Sequence, residues 1–225
     1  RDAQESRGLG DVYKRQRLTG KRVVIDPNFN TEQMATIQGP FGEITEEEIL
    51  WDLASRVESR MIAAGMETIM SRPRGDNPTA KARADLANSF EADLLISLQL
   101  DRYQNDKANG VATFYFGSEL GASSMTGEML SGFIQREIVA RTDLGNNYNH
   151  GRTWELLRAT EMPSVEVVLG YVTNAHDMEI VTDPTQRDAI AEAIVVAVKR
   201  LYLLEQDNQP TGTYSFTELL REEQD

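Results

Sequence analysis

Arg22-Val23-Val24-Ile25-Asp26-Pro27 is a short β-branched run closed by an aspartate and a proline, and it reads as a buried strand ending in a loop. The following stretch, to Thr45, holds Gly39, Pro40 and Gly42 and reads as one long loop. Thr45-Glu46-Glu47-Glu48 is then a capping box, with Thr45 as the cap and Glu48 reaching back to it. The helix it opens presents Ile49, Leu53, Val57, Met61 and Ala64 on one face and stops at Gly65.

This strand–helix alternation continues along the chain. Glu67–Ser71 reads as a second strand, Thr79–Phe90 as a helix, and Asp93–Leu98 as a strongly apolar third strand. Val111–Phe116 is a fourth strand stopped by Gly117, Ala122–Arg141 a helix, and Ser164–Leu169 a fifth strand. A last helix opens at Asp183-Pro184 and runs to about Leu204, with Ala189, Ala193, Val196 and Leu201 at helical spacing. The pattern predicts an α/β fold: a single three-layer domain with a mostly parallel twisted sheet and helices on both faces. In such folds the functional site lies at the carboxyl ends of the strands, here just after Ile25, Leu98, Tyr115 and Val168.

Composition narrows the function. Of 225 residues, 36 are acidic and 23 basic, a net charge of −13 that makes nucleic acid a poor partner. The 40% hydrophobic content is that of a folded chain, and no apolar run approaches the ~18 residues of a membrane-spanning helix. The absence of cysteine excludes disulfides, thiolate nucleophiles and Cys-ligated zinc. The two histidines are His150, in a polar stretch that reads as a loop (146–152), and His176, which reads as lying near a last helical turn.

The ends differ from the middle. Arg1–Gln16 has no hydrophobic period, and Asp11-Val12-Tyr13-Lys14-Arg15-Gln16 resembles a translated transposon end of the kind used in sequencing libraries. Residues 1–16 are therefore read as adapter-derived and set aside. The folded domain is expected at 17–204. Residues 205–225 read as an acidic flexible tail in which Thr211, Thr213, Ser215 and Thr217 cluster.

Several separated motifs carry a resemblance. Val23-Val24-Ile25-Asp26-Pro27, Leu95-Ile96-Ser97-Leu98, and Met162-Pro163-Ser164-Val165 through Gly170-Tyr171-Val172-Thr173-Asn174 resemble the zinc-dependent N-acetylmuramoyl-L-alanine amidases (Amidase_3 type). Ile49–Arg56 and Thr153–Arg158 resemble the actinobacterial CwlM group of that family. The resemblance implies a zinc ion held by two histidines and a glutamate, a second glutamate as general base, and as substrate the lactyl amide between muramic acid and L-alanine of peptidoglycan.

The chain departs from that pattern at the decisive positions. The resemblance aligns the first histidine with Phe29, which has no donor atom, and the second with Gln99, a neutral amide. It aligns the general base with Val168, which cannot accept a proton, and leaves Glu46 as the one matching ligand position. Glu166 faces the same way as Val168 but roughly 7 Å back along the strand. A rewired metal site would have to draw on Glu46, Asp26, Asp101 and His150.

Simpler roles stand beside these. Glu46 in a first helical turn complements the helix dipole, Trp51 and Trp154 read as core anchors, and Arg152 and Arg158, which could bind a carboxylate or phosphate, as surface ion-pair partners. Three functions follow. One is a pseudoenzyme with no cofactor, acting in the cytoplasm on peptidoglycan precursor synthesis. By resemblance its partner is the enolpyruvyl transferase MurA, under control of phosphorylation at Thr211 or Thr213. The second is a working zinc amidase with an altered site, in the cell envelope. The third is a module that binds muropeptide without cleaving it.

Overall fold

The structure, a computed structural model, describes residues 18–29 and 34–207. The adapter-like segment 1–16 and the threonine pair Thr211 and Thr213 lie outside the described residues. Of the tail, 205–207 continue the last helix.

Six strands form the main sheet in the order β4-β1-β5-β8-β6-β7: β1 Arg22–Pro27, β4 Glu67–Met70, β5 Leu94–Asp101, β8 Ser164–Tyr171, β6 Val111–Phe116 and β7 Asn146–Arg152. All neighbouring pairs are parallel except β6 against β8. The helices are α1 Glu46–Ala63, α2 Ala80–Ser89, α3 Met125–Arg141, α4 Glu155–Ala159, α5 Ala175–Val181 and α6 Pro184–Asp207. The mostly parallel, three-layer α/β domain expected from the alternation is the one observed.

Alternation along the strands assigns the two faces. Val23, Ile25, Ile96 and Leu98 point into the larger core with α1, α3 and α6. Val24 and Leu95 point to the opposite side, onto Ala84 and Ala87 of α2 and Leu156 of α4. The central strands are buried on both faces, which is why they read as continuous apolar runs.

Four readings are corrected. The long loop 28–45 contains a two-stranded hairpin, β2 Thr36–Gly39 and β3 Gly42–Thr45. The polar loop 146–152 is strand β7, which pairs with β6 and closes one edge of the sheet. Helix α3 starts at Met125, where Ser124 accepts the Gly127 N–H, and not at Ala122. His176 sits in the first turn of α5, its Nε2 3.0 Å from the Asp143 carbonyl.

The Thr45 capping box is present in full. Thr45 Oγ1 accepts the Glu48 N–H at 3.2 Å, and Glu48 Oε2 accepts the Thr45 N–H at 2.8 Å. Thr45→Ala is expected to lower the urea midpoint by the equivalent of about 1 kcal/mol. An unchanged midpoint would show that the box contributes nothing to stability.

Candidate functional site

Parallel register lines up the carboxyl ends of β1, β5 and β8 into two rows. The inner row is Asp26, Ser97 and Glu166, and the outer row is Asn28, Gln99 and Val168. Two adjoining cavities open over these rows, of about 400 and 380 Å³, and share Asn28, Arg83, Gln99 and Leu100. Phe29, Glu46 and Arg102 line the first; Trp154, Glu166 and Val168 line the second.

In the inner row Asp26 is wholly buried. Ser71 donates to it at 2.5 Å, Ser97 at 2.6 Å, and Arg83 forms its ion pair. Glu166 is 6% exposed, and among the described residues neither its Oε2 nor Arg83 Nε has a hydrogen-bond partner. Burial, with the Asp26 charge adding to it, pushes the Glu166 carboxyl up to about 7, and the Arg83 charge opposes them.

In the outer row Asn28 Nδ2 donates to Gln99 Oε1 at 2.8 Å, so the two amides bind each other across the strands. Phe29 is buried under Arg72, whose guanidinium lies 4.2 Å from the ring centroid. Arg72 is itself fixed by the Pro27 carbonyl at 2.6 Å.

Glu46 is 1% exposed at the start of α1. It accepts the Ala35 N–H at 3.2 Å and is ion-paired by Arg102, which follows the end of β5. Helix-dipole complementation is therefore the smaller part of its role, because a buried carboxylate needs a full counter-charge.

The remaining candidates fall elsewhere. His150 lies on edge strand β7, its Nε2 2.6 Å from the Asn147 carbonyl and its ring 5.7 Å from that of Phe114. Neither histidine lines either cavity. The rewired set of Glu46, Asp26, Asp101 and His150 is not brought together. Among the described residues no three His, Cys, Asp or Glu side chains are placed to hold a metal ion.

Trp154 is no core anchor: it is 39% exposed at the cavity rim, its ring 4.4 Å from that of Phe114. Trp51 is half-buried beside Arg72. Arg152 and Arg158 donate to the Gly151 and Thr153 carbonyls, and among the described residues neither makes an ion pair. Sequence reasoning missed Arg83 and Arg102, the cations that pair with Asp26 and Glu46.

A family model described as N-acetylmuramoyl-L-alanine amidase matches residues 23–200. The chain belongs to the N-acetylmuramoyl-L-alanine amidase family. It is 52% identical over 208 residues to the N-acetylmuramoyl-L-alanine amidase CwlM of Mycobacterium tuberculosis, covering 92% of this chain and 51% of that one. It is 25% identical to the amidase LytC of Bacillus subtilis, covering 79% of this chain and 34% of LytC. The chain thus spans about half the length of CwlM and about a third of that of LytC. Among solved structures, an amidase from Clostridium difficile 630 superposes with a TM-score of 0.72 at 22% identity, covering 85% of this chain and 99% of that one. Ami1 from Mycobacterium smegmatis gives 0.69 at 20%, covering 83% and 99%. These likenesses bear on the fold.

Zinc is typical of this family. The residues here do not fit it: Phe29 offers no donor, Gln99 Oε1 is taken by Asn28, and Glu46 is taken by Arg102.

Proposed function

We propose that this domain is a non-catalytic member of the amidase family that regulates peptidoglycan biosynthesis. The observation that carries the reading is that the polar groups at the aligned ligand positions, Gln99 and Glu46, are already paired. Each polar group aligned with a metal ligand is bound to a neighbouring side chain, and the general-base position is Val168, buried and apolar. On this reading the partner is an enzyme of peptidoglycan precursor synthesis, a MurA-type transferase, and the site of action is cytoplasmic. Phosphorylation at Thr211 or Thr213 would add about −1.5 to −2 charges for an arginine cluster on that partner to read. Among the described residues no helix is long and apolar enough to cross a membrane.

The test is the zinc content of purified protein after metal loading and desalting. The expected stoichiometry is close to zero. A stoichiometry near one would overturn the reading in favour of a working zinc amidase, to be followed by an assay of muramoyl-L-alanine cleavage.

A second reading, a peptidoglycan-binding module, is favoured by Arg83 Nε and Glu166 Oε2, both without partners among the described residues, beside the rim tryptophan Trp154. Muropeptide binding without metal, lost on Trp154→Ala, would support it over regulation through a protein partner.

A further inference from the structure

Glu46 presents a problem that any fold of this family must solve. Its carboxylate is 1% exposed at the bottom of a cavity, and a carboxylate so placed needs a positive charge against it. In a metal-binding relative the ion would supply that charge. Here Arg102 supplies it: the guanidinium pairs with Oε2 and lies 3.4 Å from Oε1 through its other terminal nitrogen. The Ala35 N–H fills a further acceptor position on Oε2.

Arg102 comes from a place suited to this task. It follows directly on Asp101, the last residue of β5, whose Oδ1 accepts the Arg102 N–H at 2.7 Å. Gln99 lies on the same strand and lines the same cavity as Phe29, Glu46 and Arg102. The guanidinium is therefore set among the positions aligned with the metal ligands. Its pair with Glu46 joins the end of β5 to the start of α1, and Glu46 in turn holds Ala35, donating its N–H to the Ala35 carbonyl and accepting the Ala35 N–H on its carboxylate.

We infer that Arg102 is a resident cation in place of the metal ion, so that Arg102 and zinc are mutually exclusive occupants of the Glu46 carboxylate. This rests on the non-catalytic reading above. Its consequence is specific: restoring the missing histidines is not enough to restore a metal site, because the remaining carboxylate is already neutralised by the chain itself. A divalent ion would have to displace a guanidinium and pay for leaving it near the new charge.

Zinc uptake is measured on the full chain as wild type, Phe29→His/Gln99→His, and Phe29→His/Gln99→His/Arg102→Met. The expected values are about zero, about zero and about one equivalent. Uptake by the wild type overturns the non-catalytic reading itself. Equal uptake by the two restored variants overturns the inference and leaves that reading standing. No uptake by the variant lacking Arg102 overturns the inference as well.

A second measurement is independent of zinc and of the introduced histidines. Arg102→Met is expected to lower Tm by about 10 °C, the size expected when one member of a buried pair is removed. Adding Glu46→Gln should recover at least half of that loss, since the orphaned charge is gone; if Arg102→Met does not fold, the double variant should. An Arg102→Met protein as stable as wild type, or no recovery in the double variant, overturns the inference.

Discussion

Asp26→Ala is expected to lower the unfolding free energy by about 3–5 kcal/mol, the loss measured when one partner of a buried ion pair is removed. The side chain is 0% exposed and holds Ser71, Ser97 and Arg83. Its removal leaves two hydroxyls without their acceptor and a guanidinium 7% exposed without its counter-ion. Against a typical total of about 5–15 kcal/mol, such a loss brings the domain near the edge of folding. Guanidinium titration of wild type, Asp26→Ala, Arg83→Met and the double variant would measure it. The double variant should be less destabilised than the sum of the singles, because no unpaired charge remains. Strict additivity would mean that the two side chains do not act as a pair.

Glu166→Gln should show the opposite sign, and only at higher pH. The folded carboxyl titrates near 7, above the usual carboxylate range, because burial disfavours its charged form. The unfolded chain releases this proton first as pH rises. Stability is therefore undiminished by this group below about 4.5, falls as pH climbs, and stays reduced above about 7. The full difference corresponds to about 3 kcal/mol. Glutamine has no charge to desolvate. The variant's stability relative to wild type should consequently rise between pH 5 and pH 8 by an amount of that order. A difference that does not change with pH would place Glu166 in a hydrated environment. The two sites are coupled as well. The Asp26 charge pushes the Glu166 carboxyl up and the Arg83 charge pulls it down, so losing Asp26 removes one influence and releases the other.

The reach of the sequence differed sharply from element to element. Val23–Ile25, Leu94–Leu98 and Val165–Leu169 were legible because both faces of these strands are buried, which leaves an unbroken apolar run. Strand β7, Asn146-Asn147-Tyr148-Asn149-His150-Gly151-Arg152, was not. It pairs on one side only, at the edge of the sheet, and no buried face imposes an alternation on it. The β2–β3 hairpin was hidden for another reason. Its strands are four residues each, and the Gly39-Pro40-Phe41-Gly42 turn dominates so short a window.

The site divides in the same way. Family motifs located the positions of Phe29, Glu46, Gln99 and Val168, and the structure gathers the first three around one cavity, with Val168 in the adjoining one. The arginines that decide its electrostatics were invisible. Arg83 lies 57 residues from Asp26 and Arg102 lies 56 from Glu46, and no local pattern records such pairings. The one available clue was position. Arg102 stands immediately beyond a strand's carboxyl end, where an arginine has a carboxylate-bearing cleft within reach.

Strand β8 has a consequence for how the molecule is made. β5 and β6 follow one another in the chain, yet in the sheet β8 stands between them, parallel to one and antiparallel to the other. Until Ser164–Tyr171 has left the ribosome, the growing chain carries two partial sheets whose facing edges have no partner. β8 acts as a keystone: its insertion joins the halves and completes both rows of the cleft in one event. The nascent chain must hold two unpaired strand edges apart for more than forty residues of synthesis, the interval in which it is most exposed to pairing with another copy of itself.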